Sequence, residues 1–408
     1  MRLRLPARLR GLLGPDATSI GQGLVALGIS SGGDLLAGLT LGKIQHTLDA
    51  LPGLLVLVPA AIGMRGNVFG ALGSRLGTSI HTGTFRLSRR HDTVVGQNVL
   101  ASLALTMAIS LALAFLAKAV AVGFGLAHTI SVVDFVVISV VGGALSSVVV
   151  LAITIGVAAG ASRFGWDMDN VAAPLVTAAG DVVTLPALFL ATYLVGRGVF
   201  SPLLALGTGV LAVLALVGAV RSGLPLLRRI VRESMPVLLL AGLVDVVAGL
   251  TIEKRLEHFL ALPALLVLVP PFLEDSGALG GILSSRLGSK LHLGVIGPTA
   301  VPSKAARRDF ALIAGFALPV FLLVGTSSHI AATVVGLHSP GLGDMVAIAL
   351  IGGVMTTAAA IVVAYYGAVA SYRLGLDPDN HGIPIVTSSM DLVGAFALVL
   401  AIVLVGLG

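Results

Sequence analysis

The sequence predicts an all-α polytopic membrane protein: two homologous five-helix repeats in the same orientation, joined by one extra transmembrane helix, with about eleven spans. Three observations predict it. Of 408 residues, 56% are hydrophobic and only 11% charged, with a mean hydropathy of +1.05. A soluble chain carries roughly 25% charge, so this one cannot cover a water-facing surface. Apolar runs long enough to cross a bilayer, which takes about 20 residues, recur along the whole chain. The second half repeats the first at a constant offset.

The elements follow in order. Span one, about 17 to 42, comes after Arg2, Arg4, Arg8 and Arg10; no small-residue cleavage site follows and the run contains Asp34, so an uncleaved helix is expected rather than a signal peptide. Span two, about 53 to 83, is longer than a bilayer requires, and Pro59 is expected to kink it. Spans three to five cover about 95 to 118, 131 to 160 and 171 to 195, and span six covers 201 to 220. Spans seven to eleven cover about 235 to 252, 264 to 290, 310 to 331, 344 to 370 and 383 to 406. Fewer than twenty residues precede the first span and almost none follow the last, so no soluble regulatory domain is expected.

Threading these spans alternately places most basic residues on one side. Arg86, Arg89, Arg90, Arg163, Arg221, Arg228, Arg229, Arg232, Lys304, Arg307, Arg308 and Arg373 join the N-terminal arginines, while Lys43, Lys118, Arg197, Lys254 and Arg255 face the other way. Cytoplasmic flanks hold the excess of Lys and Arg, so the N-terminus is expected in the cytoplasm and the C-terminus outside. The net charge of +6 is therefore a topology signal spread over short loops, and no nucleic-acid partner is expected. With no Cys, the chain can have neither disulfides nor thiolate metal sites.

The internal repeat is the strongest feature. Leu51-Pro52-Gly53-Leu54-Leu55-Val56-Leu57-Val58-Pro59 returns as Leu262-Pro263-Ala264-Leu265-Leu266-Val267-Leu268-Val269-Pro270, an offset of 211. Ser74-Arg75-Leu76-Gly77 returns as Ser285-Arg286-Leu287-Gly288 at the same offset. Further on, at an offset of 210, Asp167-x-Asp169-Asn170-x-x-x-Pro174-x-x-Thr177-x-x-x-Asp181 matches Asp377-x-Asp379-Asn380-x-x-x-Pro384-x-x-Thr387-x-x-x-Asp391. Five spans fused directly to five would invert the second copy; the unpaired span six restores its orientation. The expected organisation is a cytoplasmic segment 1–16, a first repeat 17–196, a linker with span six 197–232 and a second repeat 233–408. The pseudo-two-fold axis then runs along the membrane normal, and one chain suffices as a fused pseudo-dimer.

Acids inside spans are costly and mark ion or proton pathways. Asp181 and Asp391 lie about ten residues into spans five and eleven, roughly 15 Å deep at 1.5 Å per residue. Thr177 and Thr387 sit one turn earlier on the same faces. Two carboxylates facing across a symmetry axis, with hydroxyl oxygens nearby, suit a hard divalent cation that keeps several waters. Asp34 and Asp245 form a second deep pair, readable as another station on the route. Glu274 and Asp275 break the symmetry, because the first repeat has Gly63, Met64 and then Arg65. They can offset Arg65 electrostatically, hold a coupling ion or carry a proton. Asp134 and Asp344 open spans four and ten, where helix capping explains them. The Gly66-x-x-x-Gly70 and Gly277-x-x-x-Gly281 steps read as helix-packing faces, and His81 and His292 as packing residues.

These motifs resemble the membrane domain of the MgtE magnesium transporter family, and the tandem layout resembles its two-copy relatives among the eukaryotic magnesium solute carriers. The resemblance covers about residues 17 to 405. It implies that an acid of the fifth helix in each half, here Asp181 and Asp391 with Thr177 and Thr387 nearby, coordinates hydrated Mg²⁺ in a pore. Asn67 follows Gly66 but Ala278 follows Gly277, so a symmetric role for that pair is not implied.

The expected function is transmembrane transport of divalent cations, most of all Mg²⁺, with Mg²⁺ as cargo and no organic cofactor. The alternative is a proton- or sodium-coupled carrier of another solute. An intramembrane aspartyl protease also needs two acids in spans, but it shows Tyr-Asp and Gly-x-Gly-Asp, whereas this chain has Ala178-Ala179-Gly180-Asp181 and Ser388-Ser389-Met390-Asp391. No enzymatic activity is expected.

Overall fold

The computed structural model describes residues 17–88, 90–126, 128–164, 168–375 and 383–407. They form α1 (Ala17–Lys43), the short α2 (Gln45–Ala50), α3 (Leu54–His81), α4 (Val94–Gly123), α5 (Val132–Phe164), α6 (Met168–Thr192) and α7 (Phe200–Arg221). The second half supplies α8 (Pro225–Glu253), the short α9 (Leu256–Ala261), α10 (Ala264–His292), α11 (Lys304–Val334), α12 (Leu342–Arg373) and α13 (Ile383–Val405). Ten of these, α3 to α8 and α10 to α13, are long and apolar enough to cross a membrane among the described residues. At 27 residues, α1 has spanning length and occupies the first expected span. A helix is the form such segments take in lipid, because it satisfies every backbone hydrogen bond within the segment.

Helix ends follow local chemistry. Thr93 caps α4 by accepting from the Gly96 N–H at 3.1 Å, and Ser303 caps α11 by accepting from Ala306 at 3.3 Å. Ser131 and Asp134 form a capping box at the start of α5, so Asp134 is a helix-start residue as expected. Val137–Val141 of α5 is π-helical. The two short helices, α2 and α9, are related by the 211-residue offset and were not visible as spans. Helix α8 begins at Pro225, about ten residues before its expected start, because Pro suits the first helical position and the polar turn Arg228–Glu233 continues the helix. Within that turn Arg229 pairs with Glu233 at 2.9 Å.

The two copies of the Leu-Pro-x-Leu-Leu-Val-Leu-Val-Pro block start α3 and α10, and these helices form the centre. Residues 54–62 and 264–273 are buried without interruption. The first helix of each repeat packs against the second helix of the other: α1 against α10, α8 against α3. Each also packs on the last helix of its own repeat, α1 on α6 and α8 on α13. The contacts are reciprocal in detail. A Cβ on Gly38 would run into the carbonyl oxygen of Val267, and one on Gly249 into that of Val56, the same pair displaced by 211 residues. Small residues thus let the repeats approach backbone to backbone. Helix α7 has no counterpart; it lies along α4 and presents Leu203, Leu206, Leu211 and Leu214 outward.

Candidate functional site

The repeat fixes where the acids meet. Asp34 on α1 lies beside Asp181 on α6, and Asp245 on α8 lies beside Asp391 on α13. The sequence left Asp34 and Asp245 open as a separate station; the structure places each next to the last-helix acid of its own repeat. Asp391 is also within electrostatic range of Asp181, so the two pairs share one layer. All four are buried, and Asp34, Asp181 and Asp245 have both carboxyl oxygens without a hydrogen-bond partner. Buried carboxylates without donors cost free energy unless a cation or proton supplies the missing charge.

Glu274 on α10 lies within range of Asp34, Asp181, Asp245 and Asp391, joining the two pairs. It keeps partial exposure, while Asp275 behind it is fully buried and accepts a 2.6 Å hydrogen bond from Ser31 on α1. Position 63 is the 211-residue partner of position 274. A Cβ on Gly63 would lie 3.1 Å from Asp245 Oδ2 and 3.6 Å from Asp391 Oδ2, so this glycine lets α3 pack closely beside the second pair.

The threonines lie one turn away. Thr177 meets α3 at Gly66, and Thr387 meets α10 at Gly277 and Gly281, all at 3.7 to 3.8 Å from where a glycine Cβ would stand. The Thr387 hydroxyl donates to the Pro384 carbonyl at 3.1 Å. Gly66, Gly277 and Gly281 therefore serve close packing, whereas nothing stands near Gly70.

A stripe of partly exposed residues runs from this layer toward one end of each central helix. On α3, Gly63, Asn67 and Gly70 are partly exposed and Ser74 and Thr78 fully so; on α10 the same holds for Glu274, Ala278 and Gly281, then Ser285 and Ser289. Each set is a single helical stripe on a central helix, lined mostly by small and polar residues and opening toward the His81 and His292 ends. On the other side of the acids, the blocks 54–62 and 264–273 are buried without interruption. Among the described residues, no three acidic or histidine side chains converge closely enough to hold one bare ion.

One expectation is corrected. The structure turns Arg65 away from Glu274 and Asp275: its Nε donates to Ser146 at 3.1 Å and its Nη2 to Ser110 at 3.0 Å, both in the first repeat. The guanidinium packs on Gly143, where the second repeat packs the Phe321 ring on Gly353. So the two extra acids do not offset Arg65. The sequence reading also missed Ser31, Gly63 and Ser388, whose buried Oγ neighbours Asp245 without a hydrogen-bond partner. Gly63 could have been found by aligning it with Glu274. Asp344 stands in the first turn of α12, and His292 packs edge-on against Tyr372 while its Nδ1 bonds the Gly288 carbonyl. Asp167, Asp377, Asp379 and Asn380 lie outside the described residues.

Comparison with known proteins bears on this arrangement. The model of the MgtE family, described as a divalent cation transporter, matches residues 58–191 and again 269–401. Solute carrier family 41 member 3 of Rattus norvegicus is 26% identical over 403 residues, covering 92% of this chain and 85% of that protein. Solute carrier family 41 member 2 of Xenopus laevis is 26% identical over 418 residues, covering 93% of this chain and 71% of that protein. The human member 2 is 26% identical over 412 residues, with 93% and 69% covered. No solved structure matches. Both copies of the family's domain fall on the helices that carry Asp181 and Asp391, and the chain, a multi-pass membrane protein with an internal repeat, belongs to the MgtE family of divalent cation transporters.

Proposed function

We propose that this chain carries divalent cations, Mg²⁺ foremost, across the bilayer through the acid layer between its two repeats. The observation that supports this is the small, polar stripe that runs along α3 and α10 and ends at four buried carboxylates, three of them lacking any donor. Because among the described residues no three groups close on one bare ion, the cation is held with water still attached, which suits Mg²⁺ and its slow dehydration. Asp181 and Asp391 are the principal ligands, Asp34 and Asp245 add charge behind them, and Thr177 and Thr387 line the approach.

The arginine distribution supports an open end in the cytoplasm, with the N-terminus on the same side and the pseudo-two-fold axis along the membrane normal. The repeats are 17–196 and 233–408, with 197–232 carrying the helix that keeps them parallel, and one chain is the working unit. The layer binds and passes an ion without bond chemistry, so the protein acts as a transporter and not as an enzyme. The test is Mg²⁺ flux into liposomes holding the purified chain. Flux that persists after ionophores collapse proton and sodium gradients fits a channel or uniporter, and flux that stops fits a coupled carrier. Absence of any Mg²⁺ flux overturns the reading.

A further inference from the structure

We propose that the acid layer holds two unequal stations for divalent cations, the difference being set by Glu274 on one side and Gly63 on the other. This rests on the transport reading above and adds which residue makes the halves differ. One station is built on Asp34 and Asp181, with Glu274 placed to turn onto it; the other is built on Asp245 and Asp391, where Gly63 supplies no side chain.

The asymmetry is built by matched positions and not by one chance substitution. A side chain starting at Gly63 would enter the Asp245 and Asp391 pair, with a Cβ at 3.1 Å from Asp245 Oδ2. By the repeat, the partner position stands beside the Asp34 and Asp181 pair, and there the chain has Glu274, whose carboxylate is also within electrostatic range of Asp245 and Asp391. Behind Glu274, Asp275 is anchored by Ser31; the partners of those two are Met64 and Gly242, which instead pack together apolar, with the Met64 sulfur 3.8 Å from a Gly242 Cβ. On the Gly63 side, Ser388 Oγ is buried, unpartnered and beside Asp245. Its partner, Ala178, is spent on packing against Gly33. So the first station gains a carboxylate, and the second keeps its two and gains a hydroxyl.

The chemistry divides accordingly. Two carboxylates balance one divalent ion, and with no third carboxylate on the Gly63 side to displace its water, this station takes the more hydrated cation. The other has a third carboxylate on a partly exposed side chain that, among the described residues, makes no hydrogen bond and can turn inward, replacing water. Charge count is a principal control on divalent affinity at oxygen sites. The first station therefore binds the more tightly and holds the less hydrated ion.

Mn²⁺ titrated into the purified full chain and followed by electron paramagnetic resonance tests this directly. Wild type should show two classes of bound Mn²⁺ separated by about tenfold or more in affinity. Glu274→Gln, which keeps the side-chain shape, should convert the tighter class to the weaker one. Gly63→Glu should add a second tight class, and Gly63→Glu combined with Glu274→Gly should keep one tight class by moving it to the other half. If the Gly63 variants do not fold, Glu274→Gln decides alone. Two equal classes in wild type, or a tight class untouched by Glu274→Gln, overturn the inference and leave the transport reading standing. No Mn²⁺ binding sensitive to Asp181→Asn or Asp391→Asn overturns the transport reading itself.

Discussion

Ser31 on the first helix donates a 2.6 Å hydrogen bond to Asp275 on the second helix of the opposite repeat. It is the only hydrogen bond Asp275 receives among the described residues, since its other carboxyl oxygen has no partner. Ser31→Ala should therefore destabilise the chain by about 1–3 kcal/mol, the cost of leaving a buried polar group unpaired. Ser31→Gly with Asp275→Met copies the counterpart pair, Gly242 and Met64, and should restore most of that loss. Thermal unfolding in detergent measures both, and additive losses in the pair would contradict the mirror-image packing.

A second mirror lies near the His81 and His292 ends. Asp309, 2% exposed, takes Arg286 at 2.9 Å and Lys290 at 2.6 Å, where the first repeat pairs Arg75 with Asn98 at 2.8 Å and has Ser79 in place of the lysine. Asp309→Asn should cost about 1–3 kcal/mol, less than a fully buried pair because both cations are partly solvated. Adding Lys290→Ser should recover part of the loss, which the same unfolding assay reads.

The backbone approach at Gly38 and Gly249 leaves no room for a methyl group, and a carbonyl on a neighbouring helix cannot swing aside as a side chain can. Gly38→Ala and Gly249→Ala should each cost roughly 1–3 kcal/mol and lower the yield of monodisperse protein. Gly207→Ala on α7, with nothing within 4 Å, should leave unfolding unchanged.

Asp181→Asn and Asp391→Asn each remove one charge from the shared layer while keeping side-chain shape. Each should reduce Mg²⁺ flux at least tenfold with folding intact. Since both act on one ion path, the double variant should lose much less than the two single losses added in free energy. Near-wild-type flux from either single variant would remove that acid from the path.

Leu87 and Val301 are exposed at the open end of α3 and α10, and His338 is exposed at the other. With no native Cys, single cysteines at these positions report sidedness cleanly. Cysteines replacing Leu87 and Val301 should react only from the cytoplasm, and one replacing His338 only from outside. Labelling of all three from one face would refute the topology.

Most of the fold was legible because membrane helices announce themselves by apolar length and because the repeat can be read residue against residue. The misjudged start of α8 has a physical cause: Arg228, Arg229, Arg232 and Glu233 look like a loop to a hydropathy reading, yet a helix leaving the bilayer accepts polar residues in water. The acids Asp34 and Asp181 were each visible, but 147 positions separate them and only the packing of α1 on α6 brings them together. Arg65 was misread for the complementary reason. Its partners Ser110 and Ser146 are ordinary residues in sequence, and only the helix crossing at Gly143 turns them into a polar pocket for a guanidinium.

The unpaired helix α7 has a consequence for how such a protein can change over time. In an assembly of two identical subunits, any substitution arrives on both sides of the axis at once, so a glutamate could never face a glycine across it. Tethering the halves in one chain removes that rule. A single mutation then alters one half while the other retains its ancestral chemistry, and the layer becomes free to specialise one residue at a time. The 211-residue register still preserves the shared scaffold at Gly38 and Gly249, while Glu274 and Gly63 record where the two halves have parted.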